Sequence, residues 1–185
     1  MRNPKLANRY AKALFQFAIE NESLESVNQD LILIKEVLKE NRDLRLVIES
    51  PIIHPDKKMN IFREIFSEKI SKISLGFLGL IIRKKREPAL VIICEEFVIY
   101  YNQYHNIKVV NLVTAVPFGD KLLDQIKNML ERQTHSTIQI VPSVNPDVIG
   151  GLVLIVEGYL FDASIHTRIN KLKAEFSQNN YQAGF

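Results

Sequence analysis

Tyr100-Tyr101-Asn102-Gln103-Tyr104-His105-Asn106-Ile107-Lys108-Val109-Val110-Asn111-Leu112-Val113 contains a change of period. Upstream, Leu90, Ile93, Phe97, Tyr100, Tyr101 and Tyr104 recur at steps of three and four, which a helix of about 3.6 residues per turn gathers on one face. Downstream, Ile107 to Val116 is dense in β-branched residues, interrupted by Lys108 and Asn111, and reads as a strand. Each side carries enough apolar stripes for its own core. The spacing predicts an α+β protein: an N-terminal bundle of about six helices over 1–105, then a small C-terminal α/β domain over 106–185, joined near Asn106.

Working back from the junction, Leu6, Tyr10, Ala13, Leu14 and Phe17 predict a first helix with these residues along one side. Asn21 and Ser23 suit caps, and Leu24, Val27, Leu31, Ile34 and Leu38 predict a second helix. A short piece over Arg42 to Glu49 must end at Ser50, because Pro51 disfavours helical geometry in its predecessor. Pro55 suits the first turn of a fourth helix running to about Phe66. Ser71 begins a fifth, which ends near Arg83-Lys84-Lys85-Arg86, and Pro88 restarts the chain.

Working forward, Leu122, Leu123, Ile126, Met129 and Leu130 predict a helix, followed by strands at Ile138 to Val141 and Leu152 to Val156. Glu157 and Gly158 suit a tight turn into a strand at Tyr159 to Phe161. Ile165, Ile169, Leu172 and Phe176 close the chain as an amphipathic helix. There is no internal repeat and no low-complexity segment.

Composition narrows the class. The 185 residues are 46% hydrophobic and 24% charged, with 7 Gly and 7 Pro, the balance of a globular protein with a real core. A net charge of +3 is too weak by itself to imply nucleic acid. Cys94 is the single cysteine, so no internal disulfide and no thiolate metal cluster can form. The longest apolar run, Leu75 to Ile82, falls far short of the roughly 20 residues of a spanning helix. Met1 to Tyr10 has no secretory hydrophobic region, and the chain is expected to be mature as written.

Signals for catalysis are weak. A phosphate loop needs glycines followed by a Lys that reaches the phosphates; Gly150-Gly151 is followed by Leu152 and reads as a bend before a strand. His54, His105, His135 and His166 are dispersed without ligand spacing. Glu95 and Glu96 diverge by about 100° on a helix and read as solvated. Cys94, within an apolar run, reads as a buried structural thiol. No cofactor is expected. Arg83-Lys84-Lys85-Arg86 reads as a solvated helix end, the alternative being an RNA-binding adaptor. Gly76-Phe77-Leu78-Gly79 formally matches the loop of KH-type RNA binders, although Phe77 and Leu78 would make a poor clamp. Two glycines inside a helix cost roughly 1 kcal/mol each relative to Ala, which asks for a packing or docking reason.

Several segments together resemble the delta subunit family of F-type ATP synthases, whose mitochondrial members are called the oligomycin-sensitivity-conferring protein. They are Ala7-Asn8-Arg9-Tyr10-Ala11-Lys12-Ala13-Leu14-Phe15; Ser50-Pro51 with Lys57 or Lys58; Phe77-Leu78 with Leu80-Ile81 and Arg86; and Ile149-Gly150-Gly151 followed by Asp162 and Ser164. Ala163 and Gly76 depart from that pattern, standing where the family usually has Gly and Asn. The resemblance implies a non-catalytic stator subunit at the cytoplasmic face of the bacterial inner membrane, touching the membrane only through the complex and no nucleic acid. It implies two partners: the N-terminal helix of an alpha subunit against the first and fifth helices, and the b subunits against the C-terminal domain. The expected groove residues are Tyr10, Ala13, Leu14, Phe77, Leu80 and Lys84, with Tyr10 and Phe77 alternatively core; Arg86, Gly150, Gly151, Asp162 and Ser164 are expected as structural motif.

Overall fold

The computed structural model describes residues 4–156 and 158–177. It divides after Tyr104 into two compact units. The first contains α1 (Pro4–Glu20), α2 (Leu24–Glu40), α3 (Arg42–Glu49), α4 (Pro55–Phe66), α5 (Lys72–Arg83) and α6 (Leu90–Tyr104), with a 3₁₀ turn at Glu87–Ala89. The second contains β1 (Ile107–Thr114), α7 (Asp120–Thr134), β2 (Thr137–Val144), a 3₁₀ turn at Pro146–Val148, β3 (Leu152–Val156), β4 (Tyr159–Asp162) and α8 (Ile165–Ser177).

The buried residues of α2 include all five of its predicted stripe, Leu24, Val27, Leu31, Ile34 and Leu38. Helix α1 differs from expectation: its buried stripe is Ala7, Ala11, Leu14 and Ala18, whereas Ala13 and Phe17 are exposed. At about 100° per residue, Tyr10, Ala13 and Phe17 lie roughly a quarter-turn or more from that stripe. Small alanines let α1 approach its neighbours closely, and Phe15 packs among Phe97, Tyr100 and Tyr104 of α6, with ring centroids 5.7 to 5.9 Å apart.

Polar contacts fix the remaining helices. Asp30 of α2 accepts hydrogen bonds from the Ser71 amide (2.9 Å) and from the Ser71 and Ser74 hydroxyls (2.6 Å each), which pins the start of α5. Lys58 of α4 pairs with Glu87 at 2.7 Å, each side chain only 5% exposed. Such a pair is strongly destabilised when one partner is removed, because the other charge stays buried. Ser23 does not cap α2 with its side chain, contrary to its sequence reading. Its hydroxyl donates to the Ala18 carbonyl and its amide closes the end of α1, with Glu22 left-handed at φ 50. Glu95 and Glu96 diverge as expected but are not simply solvated: Glu95 pairs with Lys39 at 2.7 Å and Glu96 accepts from Asn8 at 3.3 Å.

The sheet order is β2-β1-β3-β4, with β1 parallel to β2 across α7, and antiparallel pairs elsewhere. Strand β2 runs three residues past its expected end, through Pro142. It is an edge strand, where a residue without an N–H is tolerated. Val156 pairs with Tyr159 through a turn in which Gly158 has φ +86; Glu157 lies outside the described residues. Val110, Leu112, Ile126, Ile138 and Leu154 form the buried core of this unit. Helix α8 forms where expected, with Ile165, Ile169, Leu172 and Phe176 along one side, and all four are at least 38% exposed.

Candidate functional site

The feature most suited to recognition is a groove of roughly 750 Å³ between α1 and α5. Tyr10, Ala13 and Phe17 of α1 face Ile73, Gly76, Phe77 and Leu80 of α5, with Leu14 at the base and Arg9 and Lys72 also lining it. Leu14 and Phe77 are buried, Tyr10 is half-buried, and Ala13 and Leu80 are exposed. The floor therefore belongs to the bundle core, while the walls are apolar surface open to solvent. Ala13 is the smallest of the walls contributed by α1. Nothing lies within 4 Å of a Cβ added at Gly76, so packing inside the bundle does not explain that glycine. A Cβ added at Gly79 would reach Met59 Sδ of α4 at 3.7 Å, an ordinary contact.

Five of the six expected groove residues thus line one surface. Lys84 is not among them: it caps α5 one turn beyond Leu80, its amide donating to the Leu80 carbonyl at 3.0 Å. Arg9, Phe17, Lys72 and Ile73 were not among the expected groove residues, although Phe17 shares the spacing of Tyr10 and Ala13 and Ile73 precedes Phe77 by one turn; Gly76 lines the groove too, one of the two helical glycines that asked for a packing or docking reason.

The basic run closes α5. Lys85 is left-handed at φ 54, and the Lys85 and Arg86 amides donate to the Ile82 and Ile81 carbonyls at 2.9 and 3.0 Å. All four cations are exposed. Gly76-Phe77-Leu78-Gly79 is continuous helix with Phe77 and Leu78 buried, so it is not a loop that could clamp a nucleic-acid backbone. Cys94 is fully buried, and burial pushes its thiol up to about 12, opposed in part by Lys35. A thiol so displaced is inert as a nucleophile near neutral pH. No cluster of three or more metal-ligating side chains occurs among the described residues.

The sequence matches the family profile "OSCP: ATP synthase delta (OSCP) subunit" over residues 6–176. The chain belongs to that family. Relatives named "ATP synthase subunit delta" include those of Amoebophilus asiaticus, 33% identical over 97% of this chain and 98% of that one, and Salinibacter ruber, 32% identical over 97% of each. In Christiangramia forsetii the identity is 30% over 98% of both chains. The fold is similar to a chain in the cryo-EM structure of the Toxoplasma gondii mitochondrial ATP synthase hexamer, at TM-score 0.74 and 23% identity, covering 93% of this chain and 97% of that one.

The residues that carried the delta-subunit resemblance at the end of the chain come together in space. Gly151 has φ +78, and a Cβ there would strike the Ala163 carbonyl and approach Ser164 Cα at 3.2 Å. Only glycine lets this bend sit against the start of α8. The Ile165 amide donates to the Gly150 carbonyl at 2.9 Å, and the Thr167 amide to Ser164 Oγ at 3.1 Å, so Ser164 caps α8. Asp162 accepts from the Ser164 amide (2.8 Å) and the Thr167 hydroxyl (2.6 Å). Hydrogen bonds from the Ser164 side chain, then Thr167 and the Ser164 amide, hold its carboxyl at about 2, below the ordinary 3.8. Ala163 is not among the residues with positive φ, so the departure from Gly at this position costs no strain. Of the two lysines in the mid-bundle segment, Lys58 is the buried one, paired with Glu87.

Proposed function

We propose that this delta-family subunit, a non-catalytic component of the ATP synthase peripheral stalk, holds the catalytic headpiece at its helical unit and the b subunits at its α/β unit. It thereby stops the headpiece from turning with the rotor at the cytoplasmic face of a bacterial inner membrane. The observation that carries this reading is the α1/α5 groove, whose apolar walls and small residues at Ala13 and Gly76 fit an incoming amphipathic helix. The alpha subunit N-terminal helix is its proposed occupant. Joining the two contacts in one chain raises the effective concentration of each for the other, so a modest groove can hold under load.

The test is titration of a peptide of the alpha N-terminal helix into the intact chain by calorimetry. Ala13→Asp should abolish binding, because complex formation would bury an unpaired carboxylate. Its circular dichroism should be unchanged, because Ala13 is exposed in the free chain. Undiminished binding by Ala13→Asp would remove the groove from the mechanism.

A further inference from the structure

Helix α8 carries a complete apolar stripe and fully buries none of its four residues: Ile165 and Ile169 are partly covered, while Leu172 and Phe176 are 52% and 85% exposed. From Ile165 to Phe176 every side chain is at least partly exposed, and Phe176 reaches 85%. What holds the helix is its first turn: the Ser164 cap, Asp162, and Ile165 seated against Gly150. A helix of 13 residues is marginal in water on propensity alone and normally depends on packing of its apolar face. Among the described residues, this one finds that packing only at its first turns and not at Leu172 or Phe176.

The charge around the stripe selects a partner. Helix α8 carries Arg168, Lys171 and Lys173 against the single Glu175, while the remainder of the chain from His105 has four Lys and Arg against six Asp and Glu. The basic character is therefore local to α8. At about 100° per residue, Arg168 and Lys173 fall on opposite borders of the Ile165, Ile169, Leu172, Phe176 stripe, with Glu175 on the Arg168 side two turns further along. An apolar seam bordered by cations on both sides fits a second helix whose own seam is bordered by carboxylates.

We infer that the α8 stripe is the stalk-docking face of the α/β unit and takes an amphipathic helix with acidic residues flanking its apolar seam. This rests on the reading that the α/β unit holds the stalk, and it adds which face does so and by what chemistry. The experiment uses the full chain with three probes: a synthetic helix with a leucine stripe bordered by glutamates, its twin bordered by lysines, and the soluble segment of a b subunit. The glutamate-bordered helix should bind and the lysine twin should not. Leu172→Asp should weaken both the glutamate helix and the b segment by about thirtyfold or more, as expected for a central apolar anchor. Arg168→Glu with Lys173→Glu should invert the preference between the synthetic helices. The amide signals of β1 to β4 in each variant should be unchanged and so exclude unfolding of the α/β unit, and binding of the alpha peptide, read in parallel, should be unchanged because its groove lies in the other unit. Equal affinity for the two synthetic helices overturns the inference, as does b-segment binding that survives Leu172→Asp. Self-association through the stripe in sedimentation, or capture by anionic vesicles in preference to the glutamate helix, also overturns it. If the wild-type chain binds the glutamate helix but no b segment, the docking chemistry stands and the stalk reading falls.

Discussion

The helical unit encloses large side chains completely, among them Leu31, Ile34, Phe62, Phe66 and Phe97, whereas the α/β unit has six buried apolar residues among those described, five of them in one cluster. The α/β unit also leaves Tyr159, Leu160 and Phe161 of β4 exposed, along with the stripe of α8. Area removed from water stabilises by about 25 cal/mol per Å² only when something covers it. The bundle supplies its own cover for its large core side chains, leaving apolar surface at the groove and at scattered positions such as Leu46, Ile52 and Ile99. The second unit leaves more of its apolar surface uncovered, and any partner that binds only the folded form would add stability that rises with its occupancy.

The largest effect expected from this contrast is in the cores. Phe66→Ala should cost about 3–5 kcal/mol and Leu154→Ala about 2–3, because Leu154 sits in a thinner core that can relax around the change. Urea denaturation followed by tyrosine fluorescence and by amide signals of each unit separates the two. Equal losses in both units would break the comparison.

A smaller effect sharpens it at the groove. Gly76→Ala should stabilise the bundle by roughly 1 kcal/mol, since alanine is the better helix former and the new Cβ meets nothing. It should also weaken the alpha peptide, because that methyl enters the groove. Thermal unfolding and peptide titration of one variant read both; a variant that is more stable and binds as well would show that Gly76 has no docking role.

The smallest effect concerns the anchor of α8. The Asp162 carboxyl in the folded chain titrates at about 2, below its ordinary 3.8, so the ionised form is the one the fold favours. Its contribution is present above the ordinary carboxylate value and is lost as pH falls from about 4 toward 2. Exchange protection of the Thr167 amide should fall over that window in the wild type and stay flat in Asp162→Asn. Identical profiles in both chains would mean that the carboxylate does not hold the cap.

Much of this was legible before the fold was known, because the signals are local. Pro51 and Pro55 set the bounds of α3 and α4 through backbone sterics, Ser71 starts α5 as its cap, and β-branched density over Ile107 to Val116 marks β1, although the strand itself ends at Thr114. The motif residues Gly150, Gly151, Asp162 and Ser164 were named without knowing that they meet. Other features had no local signal. Lys58 and Glu87 stand far apart in sequence, and nothing near either one marks the other as its partner. On α1 two adjacent faces are apolar; the bundle buries the alanine face and leaves Tyr10, Ala13 and Phe17 at a groove. On α8 the stripe is plain in the sequence, yet among the described residues Leu172 and Phe176 stay more than half exposed. Periodicity reports that a face is apolar, because that follows from the backbone repeat within one segment. What lies against that face depends on contacts between residues distant in the chain, and those the tertiary structure alone decided.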